Sequence, residues 1–309
     1  MNVSINPTYL CNLRCDFCYL TTEQLSDPRR MDLTLLDQRL SELDFIEHVD
    51  LYGGEISALP VDYQHELLAV IRKHYDGTVN INTNLIKVSP LLFEPNVTTS
   101  VSFDGPARDR WETTLCNIAT LPIDVAVLIL CSPKVIEWGV QNMLDICNGF
   151  RNIISVEIKP YSSNQSNALA VDYEDFESYV MEWLDRPRTF DFNFQNRDRI
   201  ENTLIGGYSA WSDDHIYVTP SGKFAVLEFD LNDNEFFLEL DDLNAYKEWT
   251  LTEKKRVAGS YCGECKYLGR CLTEHYRYVG DVVHSCNGFH NLLQWYDDKF
   301  IDDTYEPEL

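Results

Sequence analysis

Short strand-like runs alternate with segments of helical period through residues 1–190. Val3–Asn6 reads as a strand. Leu35, Leu36, Leu40 and Leu43 recur at helical spacing and are expected on one face of a helix. His48–Tyr52 reads as a second strand, ending at Gly53-Gly54. Tyr63–Tyr75 is helical in pattern, with Gly77 as its stop. Thr78–Asn82, Thr99–Phe103, Val125–Leu130 and Ile153–Ile158 read as further strands, and Arg108–Thr120, Val135–Cys147 and Tyr173–Leu184 as helices. Strands alternating with helices predict a mainly parallel sheet. Six such units fall short of the eight, in about 250 residues, that close a barrel. The expected fold is α/β, a partial (β/α)6 barrel with its functional loops at the C-terminal ends of the strands.

The pattern changes near residue 200. His215–Thr219 and Lys223–Glu228 flank Pro220-Ser221-Gly222, a hairpin signal. The region beyond this hairpin is rich in loops and holds a second group of cysteines. The boundary is expected within Arg186–Asn202, giving a barrel over 1–195 and a small α+β domain over 196–309.

Composition narrows the function classes. Apolar residues make up 44% of 309, enough for a sizeable core. The formal net charge is −25, from 25 basic and 50 acidic side chains. Phosphate backbones and anionic membranes repel such a chain, so no nucleic acid and no membrane partner is expected. A basic peptide or a small molecule fits better. The N-terminus MNVSINPTYLCNLRC is not a signal peptide. No apolar run reaches the roughly 18 residues of a membrane span. The expected location is cytoplasmic, with reduced cysteines.

Seven of the ten cysteines are patterned: Cys11, Cys15 and Cys18, then Cys262, Cys265, Cys271 and Cys286. In a reducing compartment such groups indicate metal or redox chemistry. Cys116, Cys131 and Cys147 stand alone in apolar surroundings and are expected in the core. Cys11-x3-Cys15-x2-Cys18 comes directly after a strand. Three thiolates can hold three corners of a [4Fe–4S] cluster and leave one iron open. Zinc is the alternative, but a structural zinc needs four ligands and no fourth cysteine or histidine lies nearby. The later four cysteines would fully ligate either a [4Fe–4S] cluster or a zinc.

The string Cys11-Asn12-Leu13-Arg14-Cys15-Asp16-Phe17-Cys18 resembles the CxxxCxΦC signature loop of the radical S-adenosylmethionine (SAM) superfamily, with Phe17 as the aromatic. The resemblance implies a catalytic [4Fe–4S] cluster whose open iron binds SAM. One-electron cleavage then gives a 5′-deoxyadenosyl radical that abstracts a substrate hydrogen. Gly53-Gly54-Glu55 resembles the family's GGE motif, which contacts the SAM amino group; Ile56 replaces the usual proline. Thr83-Asn84 resembles its TNG motif, with Leu85 in place of glycine. Ser102-Phe103-Asp104-Gly105-Pro106 resembles its SxDGP segment, whose polar residues lie near the SAM ribose and carboxylate. Arg110 is a weaker candidate for the carboxylate. The matches cover residues 1–190, in order, each at a strand's C-terminal end.

The second cysteine group resembles the SPASM/twitch extension of many such enzymes. The complete SPASM pattern holds two auxiliary clusters. Here Leu227 stands where the GX4C segment has cysteine, and His275 stands where the CX2CX5CX3C run has its fourth. Both substituted positions belong to the inner cluster, so the resemblance implies one auxiliary [4Fe–4S] cluster of the outer type, on Cys262, Cys265, Cys271 and Cys286. His275 is either a polar residue in a vacated pocket or a hydrogen-bonded structural histidine.

Asp213, Asp214, His215 and Tyr217 are expected at the barrel mouth. Family analogy implies modification of a ribosomally made peptide, by cross-linking, epimerisation or oxidation. It also implies an electron donor such as flavodoxin or ferredoxin. The chain reaches Cys11 without a preceding leader-binding domain, so a separate leader-peptide-binding protein is one expectation. A small-molecule dehydrogenase or dehydratase is the alternative. A non-catalytic metal-binding protein is the alternative of another class.

Overall fold

The computed structural model describes residues 1–161, 169, 171–186, 190–207, 209, 214–227, 236–272, 286 and 289–301. Strand β1 (Asn2–Ile5) leads through the first cysteine loop to helices α1 (Thr22–Ser26) and α2 (Leu33–Ser41). Next come β2 (His48–Leu51), α3 (Val61–Ile71), β3 (Val79–Thr83), β4 (Val97–Ser102), α4 (Trp111–Thr120), β5 (Val125–Leu130), α5 (Pro133–Trp138), α6 (Val140–Gly149), β6 (Ile153–Lys159), α7 (Tyr173–Leu184), β7 (Asn193–Phe194) and α8 (Gln195–Leu204). The C-terminal part adds β8 (His215–Val218), β9 (Phe224–Leu227), β10 (Phe237–Leu240), α9 (Leu243–Ala258) and α10 (His290–Tyr296).

All ten strands form one sheet, in the order β10-β9-β8-β1-β2-β3-β4-β5-β6-β7. Strands β1 to β7 are parallel and adjacent in sequence order, as the alternating pattern predicts. β8 lies parallel on the other side of β1, with Ser4 opposite Tyr217. β9 and β10 then pair antiparallel, so the Pro220-Ser221-Gly222 hairpin forms as expected. The C-terminal part is thus continuous with the barrel sheet through β8.

Apart from a register irregularity in β6, the parallel strands alternate between two faces. Val3, Ile5, Val49, Leu51, Val79, Ile81, Val101, Val127, Ile129, Val156 and Ile158 are at most 1% exposed. They join Leu36, Leu67, Met143 and Val180 of the helices in one core. Each such side chain contributes about 1.5–3 kcal/mol of burial. The other face carries Ser4, Asp50, Asn80, Asn82, Ser100, Ser102, Glu157 and Lys159, and it opens on a cavity.

Several local expectations are corrected. Leu36 and Leu40 are buried in α2, but Leu35 is 40% exposed, because it lies one residue off the buried i, i+4 stripe. The Val135–Cys147 helix is two helices, broken at Gly139, whose φ of +86° no helix accommodates. Helix α4 starts at Trp111 rather than Arg108, since Arg110 takes φ +58°. Helix α3 ends at Ile71, short of Tyr75. Only a 3-10 turn, Pro90–Phe93, connects β3 to β4. Cys131 and Cys147 are buried as expected, with Cys147 pushed up to about 12 by burial, but Cys116 is exposed on α4. Among the described residues, no helix is long and apolar enough to cross a membrane.

Candidate active site

The first cysteine loop is clamped by the two glycines that end β2. Gly54 N–H donates to Thr8 O (3.0 Å) and Glu55 N–H to Leu10 O (2.8 Å). A Cβ on Gly54 would sit 2.3 Å from Leu10 O and 2.4 Å from Tyr9 O, and one on Gly53 would sit 2.7 Å from Thr8 O. Gly53 also holds φ at +138°. Only glycine admits so close an approach of backbone to backbone.

Glu55 is 2% exposed and does not face the cavity. One carboxylate oxygen accepts from Ser57 N–H (3.0 Å) and Thr83 Oγ1 (2.8 Å), the other from Asn84 N–H (2.8 Å). The carboxylate therefore fastens the β2 end to the β3 end. Asn84 is carried by that link and donates from Nδ2 to Asn12 Oδ1 (2.7 Å) and towards Cys11 Sγ (3.8 Å). Leu85 holds the left-handed backbone, φ +53°, at the position where the similar motif has glycine.

Asp104 is fully buried. Its Oδ1 accepts from Leu130 N–H (2.6 Å) and its Oδ2 from Arg108 Nε (2.8 Å). Arg108 in turn reaches Cys15 Sγ (3.8 Å) and lies 5.3 Å from the Phe17 ring centroid. Asp104 thus positions a cation beside the cysteine loop. The sequence points to Arg110, but Arg110 is exposed and stands off the cavity. Burial pushes all three thiols of the loop up, Cys18 to about 11. A bound metal would offset that cost, since thiolates are its ligands.

Cys11, Cys15, Cys18, Phe17, Gly53, Gly54, Ser102 and Asp104 all border one cavity of about 800 Å³. So do Asp214, His215 and Tyr217, but Asp214 and His215 enter at the start of β8, level with Asn2, and not at the C-terminal strand ends where the barrel mouth is expected; Asp213 lies outside the described residues. Tyr19 closes one wall, stacked 4.1 Å from Phe236, and Leu227 packs there with Tyr217 and Phe237. Among the described residues, no three His, Cys, Asp or Glu side chains converge tightly enough to hold a single metal ion.

The sequence matches no family model and no curated protein. The fold does have solved counterparts. The chain is similar to anSMEcpe, an anaerobic sulfatase-maturating enzyme solved with bound AdoMet, over 96% of this chain and 97% of that one, with TM-score 0.67 and 14% identity. It is similar to Streptococcus suis SuiB bound to S-adenosylmethionine over 90% of this chain and 73% of that one, with TM-score 0.62 and 16% identity. Both are SPASM-domain radical SAM enzymes. This chain shares the fold of those two enzymes. SuiB has also been solved with its precursor peptide SuiA, and anSMEcpe with a Cp18Cys peptide.

Within that fold, the second cysteine group comes after α9. Cys262 and Cys265 flank a single 3-10 turn, Tyr261–Glu264, with Cys265 N–H donating to Cys262 O (3.0 Å). Burial, opposed by a hydrogen bond to Ser260, pushes Cys262 up, and the fields of Cys286, Cys271 and Cys265 push it further. Cys265 Sγ lies 3.6 Å from His290 Nδ1. His275 lies outside the described residues.

Sequence reasoning missed three features of the site. Arg108 is one. A second is the ion group Glu157, Lys159 and Arg199, joined at 3.0 and 2.8 Å on the β6 side of the cavity. The third is the polar sheet face around Asp50. Its signal was present as the alternation Val3-Ser4-Ile5, Val49-Asp50-Leu51 and Val79-Asn80-Ile81-Asn82, since barrel interiors are ordinarily packed with bulky branched residues.

Proposed function

We propose that this chain is a radical SAM enzyme that modifies a ribosomally made peptide. The observation that carries the reading is the triad Cys11, Cys15 and Cys18, held by the Gly53-Gly54 clamp at the wall of an 800 Å³ cavity in a radical SAM fold. The residues fit a [4Fe–4S] cluster: three thiols, a loop without a fourth ligand among the described residues, and a cation beside Cys15. When bound there with SAM, that group supplies one-electron cleavage and a 5′-deoxyadenosyl radical that takes a hydrogen atom from the substrate.

The chain's own residues do the rest. Gly53 and Gly54 leave room for the cysteine loop and for backbone contact with a ligand. Asn84 orients the loop at Cys11. Asp104 holds Arg108, whose charge favours thiolates and any carboxylate brought into the cavity. Phe17 lies under that guanidinium, and Ser102 offers a hydroxyl at the cavity wall. Cys262, Cys265, Cys271 and Cys286 fit one auxiliary [4Fe–4S] cluster, and residues 196–309 form the unit that carries it. The peptides bound by SuiB and by anSMEcpe support a peptide here. The electron would come from a small carrier such as flavodoxin or ferredoxin.

The test is iron, sulfide and 5′-deoxyadenosine measured on anaerobically reconstituted protein. Two clusters give about eight irons per chain, falling to about four in the Cys11→Ala/Cys15→Ala/Cys18→Ala variant, which makes no 5′-deoxyadenosine. About four irons with one zinc would retain the radical SAM reading and remove the auxiliary cluster. Wild-type protein without iron or SAM cleavage would refute the proposal.

A further inference from the structure

The inner sheet face puts a carboxylate deep in the cavity. Asp50 on β2 sits opposite Ser4 on β1 and Asn80 on β3. Its Oδ1 accepts from Asn80 Nδ2 (2.7 Å), and its Oδ2 lies 3.2 Å from His48 Nε2. Asn80 Oδ1 accepts in turn from Ser100 (3.0 Å), and Ser4 Oγ lies 3.1 Å from His215 Nε2. These six side chains border the same cavity as the cysteines. His48 and His215 open their strands and Ser4, Asp50, Asn80 and Ser100 lie within theirs, whereas the cysteine loop lies beyond the end of β1. Small polar residues here, in place of branched apolar ones, leave the barrel interior open rather than filled.

The cavity's other charges decide what Asp50 would hold. Asp104 is ion-paired with Arg108 (2.5 Å), and Glu157 with both Lys159 and Arg199. The partners of Asp50 are the Asn80 amide and the His48 imidazole, and no lysine or arginine lies within ion-pair distance among the described residues. Burial disfavours its charge, but the hydrogen bond and field of His48, with smaller help from Asn80 and His215, hold its carboxyl below the usual range. A carboxylate kept ionised and partly desolvated favours a cation. His48 is the counter-charge only when protonated.

The geometry points to a second ligand site in this cavity, in which Asp50, with Asn80 and His48, holds an ammonium group of the substrate. This deepens the peptide-modifying reading by naming the substrate side chain as lysine-like. An aminated sugar presents the same chemistry from another source.

The test is calorimetric binding at pH 8.5, with SAM present, to the reconstituted full chain. The probes are Ac-Gly-Lys-Gly-NH2, its norleucine and glutamate counterparts, and methyl 6-amino-6-deoxyglucoside, an aminated sugar that stays largely protonated at this pH. The expected result is about tenfold tighter binding of the lysine peptide than of the norleucine peptide, lost in Asp50→Asn but kept in Cys116→Ser. Binding of the amino sugar with the same Asp50 dependence would keep the ammonium site and move its source from peptide to sugar. Equal binding of the three peptides with no binding of the amino sugar, or a lysine preference that survives in Asp50→Asn, would overturn the site. Asp50→Asn is close in shape, and its SAM affinity and melting temperature report whether it has folded. Binding is read without turnover, so failure of SAM cleavage would refute the enzymatic reading while leaving the ammonium site standing or falling on its own.

Discussion

Gly54→Ala offers a direct test of how the cysteine loop is held. The new Cβ would lie 2.3 Å from Leu10 O, where ordinary contact begins near 3.4 Å. One backbone segment must therefore retreat by about 1 Å, and the atoms in the way are carbonyls, which cannot rotate aside. Retreat breaks or lengthens the bonds Gly54 N–H to Thr8 O and Glu55 N–H to Leu10 O. At about 1 kcal/mol each, with some residual strain, the cost is about 2–3 kcal/mol. For a chain of this length, at about 2.1 cal/mol/K per residue, that lowers the melting temperature by about 3–5 °C. Gly139→Ala is the control. Its Cβ meets nothing within 4 Å, but φ +86° and ψ 155° are costly for alanine, and it lies away from the loop. Both variants should melt lower by calorimetry. Only Gly54→Ala should lose iron from the first site and at least tenfold in 5′-deoxyadenosine formation. Full iron and wild-type SAM cleavage in Gly54→Ala would refute the clamp.

The charges at the site give two further tests. Asp104→Asn leaves Arg108, whose side chain is only 12% exposed, without its counter-charge, so stability by chemical denaturation should fall by about 3 kcal/mol; a loss under about 1 kcal/mol would contradict the pairing. The His48–Asp50 pair should give a pH-dependent contribution. His48 is raised, chiefly by its hydrogen bond to Asp50, so its share is full below about 6.5 and is lost as pH rises through its folded value. Asp50 is lowered, so its share is present above about 3.9 and is lost as pH falls through its folded value. The melting-temperature deficit of Asp50→Asn should thus be larger at pH 6 than at pH 8.5, and an unchanged deficit would count against the pair.

The parallel sheet was legible because period-2 runs separated by helical segments have few other ways to pack. The hairpin at Pro220 was legible because proline, serine and glycine punctuate the chain. The features that escaped depended on residues far apart in sequence. Arg110 and Arg108 look alike in sequence; the left-handed Arg110 and the buried Asp104 decide between them only in three dimensions. Glu55 carried the right motif, but Thr83 and Asn84 engage its carboxylate from another strand. The break at Gly139 was readable in principle, since an isolated glycine in a helical run signals a stop, yet apolar periodicity on both sides masked it.

The place of β1 between β2 and β8 has a consequence for biosynthesis. Ser4 and His215 are 211 residues apart, yet their side chains hydrogen-bond in the finished sheet. Strand β1 leaves the ribosome well before β8 and gains its second neighbour only after the roughly 200 residues between them have emerged. At about 5–20 residues per second, that edge waits on the order of ten seconds or more, exposed to wrong pairing. The strand that aims the first cysteines is thus completed late, and iron supplied before β8 docks would meet a loop anchored on one side only.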